Sequence, residues 1–326
     1  MEIVKIEVST LSTDELQNLY IANCRVVEKY GFLKRHRDAD EYKNSFLTTF
    51  IESDNELYVV KDGSQIFGIL SLIKSADWSG KEQYKLTIHL CESVITKPVA
   101  EGLRQFIHEK SVQYSYFAII AYNDEPDVLL EKFSCKVQYR GEAYILDKRN
   151  IDADLPDKTV AKLSAKNNDL RIVYTDAITE EYIEQYCNLF TELHEEMPDV
   201  AEEAFVQYII NPEKQRQMNE ANAKKNITHH CYMIFNEDNE MIAMTNVSVN
   251  NNDPRFPYQF FICVREQYRS RGLGKWLYAA MYKKILENVD FEKMLVHHHP
   301  TNMHAANISK WIGYKFSYLE TTYLVG

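Results

Sequence analysis

Hydrophobic and polar positions in the first half of the chain form short runs that are typical of strands and helices. Residues Ile3–Val8 alternate as a strand does, and Ser12-Thr13-Asp14-Glu15 opens a helix with a capping-box pattern. The run ELYVVKDGSQIFGILSLI predicts two strands joined at Asp62-Gly63, because Asp-Gly is a strong hairpin signal. The later runs predict a strand (YKLTIHLCESVI), a helix (KPVAEGLRQFIHEK), a strand (SYFAIIAYN), a short helix (EPDVLLEKF) and a hairpin around Arg140-Gly141 (KVQYRGEAYIL).

The second half repeats this order of elements. A strand at Leu170–Thr175 precedes a helix at Thr179–Glu195 and a helical stretch at Glu202–Lys224. The later runs predict a hairpin (HHCYMIFNEDNEMIAMTNVSV), a strand (YQFFICV), a helix (GLGKWLYAAMYKKILENV), a strand (KMLVHHH), a helix (NMHAANISKWI) and a closing strand (YKFSYLETTYLV). Both halves therefore read β-α-α-β-β-β-α-β-α-β. We expect a duplicated α/β domain, with residues 1–150 in one copy, a polar linker at 151–169, and residues 170–326 in the other.

Length and composition narrow the class of protein. A chain of 326 residues suits two domains of about 150 residues each. The formal net charge of −11 and the lack of an extended basic face argue against nucleic-acid binding and weakly favour cationic partners. The six cysteines form no CxxC pair, the chain opens without a signal-peptide pattern, and no apolar run approaches the roughly 20 residues of a membrane span. We expect a cytoplasmic protein that binds no membrane.

The segment VREQYRSRGLGKWLY, at positions 264 to 278, concentrates positive charge where a strand leads into a helix. Its first twelve residues hold four basic residues against the single acid Glu266, so the local charge is +4 −1 = +3. Gly272 and Gly274 allow backbone N–H groups to turn towards a ligand, and a helix N-terminus adds unpaired donors. This combination favours a phosphate or pyrophosphate site over a solvated turn. The basic residues are Arg265, Arg269, Arg271 and Lys275.

Two familiar phosphate loops fit this segment poorly. A dinucleotide fingerprint requires a third glycine, and a Walker A loop requires Ser or Thr where Trp276 follows Lys275. The segment instead resembles motif A of the GNAT acetyltransferase superfamily, and Val264, Arg269, Gly272 and Gly274 match its core. Glu266 and Ser270 stand where many members have proline and glycine.

A second stretch extends the resemblance. NMHAANISKWIGYKF is similar to motif B, with Asn302 before a helix. Together with MPDV at Met197–Val200, the HHHPTNMHAANISKWIGY segment resembles the tandem-domain GNAT proteins related to mycothiol synthase. The resemblance implies two tandem GNAT-like domains, each a mixed, splayed β-sheet flanked by helices.

The resemblance also implies acetyl-CoA as cosubstrate and a small amine that attacks the thioester directly. We expect no metal, because the histidines of the chain lack a standard zinc spacing. The pyrophosphate would bind backbone N–H groups of Arg269–Gly274, the pantetheine would lie along Ile262–Val264, and a backbone N–H near Val264 would polarise the thioester carbonyl. The cofactor-binding residues so implied are Ile262, Cys263, Val264, Arg269, Ser270, Arg271, Gly272, Leu273, Gly274, Lys275 and Asn302.

The general acid and base are less clearly marked. Many family members carry a tyrosine seven residues after the motif B asparagine, but counting from Asn302 gives Ser309, a much weaker acid. Ser309 would act as a weak acid or by hydrogen bonding only. Tyr314 and Tyr318 are alternative candidates for the general acid. A CoA thiolate can also leave without much help from an acid. The acidic candidates for the base, which equally suit a solvated helix face, are Glu195, Glu196 and Asp199.

Histidines and a cysteine near the motifs have competing interpretations. The run His297-His298-His299 would place its first and third members on one face of a strand, and adding His304 gives no standard zinc spacing. We expect one of these histidines to line the acceptor pocket, where an imidazole could relay a proton. The pair His229-His230 suggests no chemistry, and Cys263 reads as a small buried side chain rather than a nucleophile.

The corresponding loop of the first half, ESVITKPVAEGLRQF, looks degenerate. It has one glycine, Gly102, no arginine before it, and Glu101, which would repel phosphate. We expect this half to keep the fold and to have lost acetyl-CoA binding. The sequence leaves two functions open: an N-acetyltransferase, or a non-catalytic CoA-binding or interaction protein with the same fold.

Overall fold

The computed structural model describes residues 2–30, 36–51, 53–76, 81–91, 96–114, 116–123, 125–194 and 210–325. The strands are β1 (Glu2–Ile6), β2 (Glu56–Asp62), β3 (Gln65–Ala76), β4 (Glu82–Leu90), β5 (Phe117–Tyr122), β6 (Cys135–Asp147), β7 (Arg171–Thr175), β8 (Ile227–Phe235), β9 (Met241–Asn250), β10 (Tyr258–Val264), β11 (Lys293–His298) and β12 (Lys315–Val325). The helices are α1 (Thr13–Tyr30), α2 (Ala39–Ser45), α3 (Lys97–Gln113), α4 (Glu125–Leu129), α5 (Asp154–Lys166), α6 (Ile183–His194), α7 (Pro212–Lys224), α8 (Leu273–Asn288) and α9 (Met303–Ile312). The predicted order β-α-α-β-β-β-α-β-α-β is present twice, with α5 between the two copies.

The first compact unit comprises the described residues up to Arg140 together with those from Tyr318 onward. Its strands lie in the order β1-β2-β3-β4-β5-β12, and β4 and β5 are parallel whereas the other neighbours are antiparallel. Helix α3 packs Leu103 and Ile107 into an apolar cluster with strand residues such as Leu70. The predicted capping box opens α1, because the backbone N–H of Ser12 donates to the Glu15 carboxylate at 2.9 Å.

The second compact unit comprises the described residues from Gly141 to Ser317. Its strands lie in the order β6-β11-β10-β9-β8-β7, and β10 and β11 are parallel. Helices α8 and α9 bury apolar residues against strand side chains that include Val247 and Val296. Helix α6 packs into a separate cluster that includes Met244 and Phe261. Each unit is thus a mixed sheet flanked by helices, as predicted.

Three features depart from the sequence prediction. The hairpin expected around Arg140-Gly141 is wrong, because β6 runs through this pair as one continuous strand and Gly141 does not adopt the positive φ of a tight hairpin turn. The expected linker at 151–169 contains α5, which buries Leu163 in a cluster with residues of α8. The closing strand β12 pairs with β5 of the first unit, whereas the sequence placed all of 170–326 in the second domain.

Candidate active site

The arginine-glycine segment joins β10 to α8 in the second unit. Gly272 is the N-cap of α8 and has a left-handed conformation, with φ of 87°. Ser270 also has a positive φ of 66°. The first helical hydrogen bond runs from the Trp276 N–H to the Gly272 carbonyl at 3.0 Å. The N–H groups of the preceding turn therefore have no acceptor inside the helix, which is the arrangement that binds anions.

Both glycines of this segment also have a structural role. At Gly272 the positive φ alone disfavours any residue with a Cβ, and a Cβ would lie 3.1 Å from the Leu163 side chain. At Gly274 a Cβ would lie 2.7 Å from Ile308 Cδ1, so glycine allows α8 to approach α9 closely. Helix packing and chain reversal therefore account for the two glycines whether or not a ligand binds beside them.

The basic side chains are largely engaged by protein groups. Arg271 donates to both carboxylate oxygens of Asp169, at 2.6 and 2.8 Å. Arg265 donates to Glu192 at 2.9 Å, and Arg269 Nε donates to the Val264 carbonyl at 3.0 Å. The local charge of +3 counted along the sequence is thus partly neutralised by acids from distant parts of the chain. Lys275 lies 5.0 Å from the centre of the Trp311 ring, a cation–π contact.

An opening in the sheet begins beside this segment. In the described part of the sheet, β10 pairs with β11 only at Tyr258 and Gln259, whereas it pairs with β9 as far as Val264. The strands β10 and β11 therefore separate after Gln259. The predicted pantetheine residues Ile262–Val264 lie on the β10 side of this opening, at the edge that faces away from β9.

A buried polar group stands where the two strands separate. The pairing of β10 with β9 shifts register between Gln259 and Phe261. The Gln259 side-chain amide donates to Thr245 Oγ1 and to the carbonyls of Asn246 and Phe261, at 2.9 to 3.0 Å. These acceptors fix the orientation of the amide, and its buried Oε1 has no partner among the described residues. Sequence reasoning missed Gln259, although one polar residue in the apolar run YQFFICV was a usable signal.

Ser309, the predicted catalytic acid, lies inside the second unit. Its side chain is 0% exposed, and its hydroxyl bonds to His298 Nε2 at 2.8 Å and to the Tyr278 hydroxyl at 3.1 Å. Burial lowers the pKa of His298 to about 4, with smaller effects of His297 and Lys310 in the same direction. The imidazole is therefore neutral at pH 7. The sequence analysis did not single out Tyr278, which was only part of the apolar run of the predicted helix.

The other predicted groups have structural partners. Asn302 is the N-cap of α9 and accepts from the Ala305 N–H at 3.2 Å. The Tyr314 hydroxyl bonds to Tyr282 at 2.5 Å inside the core.

Burial raises the pKa of the Cys263 thiol, so this cysteine has little thiolate character at neutral pH. Tyr318 is buried beside Tyr122 in the first unit, and Glu195, Glu196 and Asp199 lie outside the described residues.

Four other histidines considered in the sequence analysis also bond to neighbouring side chains. His229 bonds to Ser248 at 3.0 Å and His230 to Tyr174 at 2.8 Å. His297 lies 3.3 Å from the Tyr258 hydroxyl, and burial lowers the pKa of this histidine to about 4. His299 bonds to the Thr301 hydroxyl at 2.8 Å. Within the described ranges, no three His, Cys, Asp or Glu side chains converge as metal ligands. No helix there is long and apolar enough to cross a bilayer.

Comparison with known proteins agrees with the geometry of the second unit. Residues 188–314 match the model of the Acetyltransferase (GNAT) family. No curated protein matches the chain by sequence.

Solved structures share the fold over nearly the whole chain. A tandem GNAT protein from the clavulanic acid biosynthesis pathway superposes with a TM-score of 0.62 at 11% identity, covering 99% of this chain and 97% of the other. A GCN5-related N-acetyltransferase from Sphaerobacter thermophilus gives a TM-score of 0.61 at 9% identity, covering 99% and 95%. The finer resemblance to the mycothiol synthase-like group stays a prediction. Residues 188–314 are therefore similar in sequence to the GNAT acetyltransferase family, and the chain shares the fold of tandem GNAT proteins.

Proposed function

We propose that the protein is an acetyl-CoA-dependent N-acetyltransferase that acetylates a small amine in the second unit. The observation that carries the proposal is the separation of β10 from β11 after Gln259, directly beside the N-terminus of α8. One side of this opening is the edge of β10 at Ile262–Val264, which pairs with β9 and has no strand partner on its other side among the described residues; the Val264 carbonyl there accepts from Arg269 Nε. The helix start next to it has N–H groups without helical acceptors. Such an edge can pair with the amide groups of pantetheine, and such a helix start suits a pyrophosphate.

In the proposed site, backbone groups and side chains would contribute differently to binding the cofactor. Because Arg265 and Arg271 are paired with acids, the backbone donors from Ser270 to Lys275 would hold the pyrophosphate, and the guanidinium groups would add a weaker field. Acetyl-CoA, when bound, supplies the acyl group as a thioester. The protein's part is to hold the amine near that group and to exclude water. A net charge of −11 supports a cationic acceptor, and the six free thiols support a reducing compartment, the cytoplasm.

The first unit has a poorer helix start for an anion. Helix α3 carries Pro98 in its first turn, and proline has no N–H to donate. Glu101 adds negative charge one turn further along the helix. Part of the preceding loop lies outside the described residues. These features support the proposal that acetyl-CoA binds to the second unit.

One observation favours a second candidate function. Ser309 stands at the sequence position where many GNAT proteins have a tyrosine that acts as the general acid, and its side chain is fully buried. A protein without an exposed acid there could bind CoA as a ligand and catalyse nothing. Release of CoA thiol from acetyl-CoA in the presence of amines distinguishes the two functions, since a binding protein would release none.

The test compares two glutamate substitutions by thermal shift with acetyl-CoA. Gly274→Glu places a carboxylate in the first turn of α8, whereas the control Gly102→Glu places one in α3, where an added Cβ meets no atom within 4 Å. A ligand at 100 times its Kd stabilises a protein by about 2.7 kcal/mol. We expect this stabilisation in the parent and in the Gly102 variant, and little in the Gly274 variant.

The outcomes separate the competing assignments. No shift in the parent would refute acetyl-CoA binding altogether. A shift that survives Gly274→Glu and disappears in Gly102→Glu would move the cofactor to the first unit. Stabilisation without thiol release across a panel of primary amines, polyamines and amino sugars would favour the binding protein.

A further inference from the structure

Three side chains from three elements form a hydrogen-bonded chain in the second unit: Tyr278 of α8, Ser309 of α9 and His298 of β11. Tyr278 and Ser309 are both 0% exposed, and His298 is 7% exposed. Among the described residues, Ser309 is the one hydrogen-bond partner of the Tyr278 hydroxyl and of the His298 ring. The positions of the protons along this chain can therefore be worked out by counting donors and acceptors.

Three proton arrangements are possible for a neutral imidazole, because a serine hydroxyl can donate once and accept twice. In the first, the Tyr278 O–H donates to Ser309, the Ser309 O–H donates to His298 Nε2, and the imidazole carries its proton on Nδ1. In the second, His298 Nε2–H donates to Ser309, Ser309 donates to Tyr278, and the Tyr278 O–H is left without an acceptor. In the third, the Tyr278 O–H and His298 Nε2–H both donate to Ser309, and the Ser309 O–H is left without an acceptor among these groups. A buried hydroxyl proton without an acceptor is costly, so the first arrangement is favoured.

The favoured arrangement leaves one free donor, the Nδ1–H of His298. His298 is the last residue of β11 and lies two residues after Val296, which pairs with Gln259 where the strands separate. The donor thus belongs to the strand that borders the opening opposite β10. Since burial and the neighbouring Lys310 both keep the imidazole neutral, the group acts as a donor at pH 7 and not as a base.

We propose, resting on the proposed function, that His298 presents its Nδ1–H to the acyl thioester held in the opening, and that Ser309 and Tyr278 are positioning residues that fix this tautomer. The hydrogen bond stabilises negative charge that develops at the thioester as the amine attacks. It transfers no proton. Full transfer from Nδ1 would require Ser309 to reprotonate Nε2 and Tyr278 to reprotonate Ser309, which would leave a buried tyrosinate. Burial raises the pKa of Tyr278, so that state is strongly disfavoured.

The tautomer can be read without any turnover. Protein labelled with ¹⁵N-histidine gives two-bond ¹H–¹⁵N correlations that distinguish an Nδ1–H from an Nε2–H imidazole, and loss of one ring pattern in His298→Asn assigns the signal. We expect Nδ1–H in the parent and a changed tautomer in Ser309→Ala and Tyr278→Phe. Tyr282→Phe is the matched control, because it removes a hydroxyl that is equally buried on the same helix but bonds to Tyr314. We expect it to leave the His298 signal unchanged.

A kinetic test with acetyl-CoA and an accepted amine compares two variants of His298 that both carry a side-chain amide, His298→Asn and His298→Gln. In His298→Asn the side-chain NH₂ can occupy the place of Nδ1, whereas in His298→Gln the amide reaches towards Ser309 and leaves no donor at the opening. We expect kcat of the Asn variant within about threefold of the parent and kcat of the Gln variant about 10- to 100-fold lower, with KM little changed. CoA binding should also shift the Nδ1–H signal.

The results separate this inference from the proposed function. An Nε2–H tautomer in the parent, ring signals that CoA does not move, or equal kcat for the Asn and Gln variants would each overturn the role of His298. Absence of thiol release in a parent protein that shows the Nδ1–H tautomer and the CoA-induced shift would instead refute the acetyltransferase activity, and the hydrogen-bond chain would stand.

Discussion

Replacing Gly272 with alanine is expected to destabilise the second unit by about 1–2 kcal/mol, the usual cost of a left-handed conformation for a residue with a Cβ. The structure shows why: φ at this N-cap is 87°, and the added Cβ lies 3.1 Å from a methyl group of Leu163. Gly274 has no positive φ, and its added Cβ meets the flexible end of Ile308 at 2.7 Å. At Gly274 alanine also gains about 0.5–1 kcal/mol of helix propensity, which offsets the contact. We expect Gly274→Ala to stay within about 1 kcal/mol of the parent.

Urea unfolding followed by tryptophan fluorescence measures this difference. Two of the three tryptophans, Trp276 and Trp311, lie in the second unit. Gly102→Ala is the control, because it changes a helical glycine of α3 with no atom within 4 Å of the new Cβ. A loss of 1 kcal/mol corresponds to about 2–4 °C in Tm for a unit of this size. Equal stability of the Gly272 and Gly274 alanine variants would refute the argument from φ, and Gly272→Asn should recover part of the loss because asparagine tolerates this conformation.

Three further predictions concern stability. Burial on its own raises the pKa of Glu56, but hydrogen bonds led by that from Lys110 lower it to about 2. Because the folded-state pKa lies below the unfolded value of about 4.3, the stabilisation is present above that pH and is lost as pH falls towards 2. Glu56→Gln should therefore cost about 1–3 kcal/mol in urea unfolding at pH 7 and less at pH 3, and equal costs would contradict this. Tyr282→Phe leaves the buried Tyr314 hydroxyl without its hydrogen-bond partner. Calorimetry of the double variant Tyr282→Phe with Tyr314→Phe should therefore show a smaller loss of unfolding free energy than the sum of the losses in the two single variants. Arg271→Gln breaks a partly exposed ion pair with Asp169 and also the hydrogen bond from Arg271 Nε to the buried Asn167 at 3.1 Å. We therefore expect a loss of about 1–2 kcal/mol in urea unfolding, and an unchanged stability would contradict a structural role for this guanidinium.

The order of elements and the position of the glycine segment were predictable, because both depend on local pattern. Alternation of apolar residues marks a strand wherever the strand finally lies, and Gly272 before an amphipathic run marks a helix start. The hairpin expected around Arg140-Gly141 failed for the same reason. A polar-glycine pair is compatible with a turn, but the strand partners that keep it extended lie elsewhere in the sequence.

The partners of the site residues were not predictable, because they come from distant parts of the chain. The charge count around Gly272 could not include Asp169, which binds Arg271 from across 102 residues of sequence. The expected chemistry of Ser309 depended on its spacing from Asn302, and only packing shows that Tyr278 and His298 enclose its hydroxyl. Single-sequence patterns locate a loop and the helix start that follows it more readily than they identify the partners of the loop's side chains.

Strand β12 sets the order in which the two units can be completed during synthesis. It pairs with β5 within the first unit, although Glu320 follows its partner Tyr122 by about 200 residues of sequence. On the ribosome, every described residue of the second unit is translated before Tyr318, the first residue of β12 that belongs to the first unit. Until then β5 has an open edge, which is a template for misassociation. The unit whose synthesis starts first is therefore finished last, and its folding waits on a slow, non-local strand pairing.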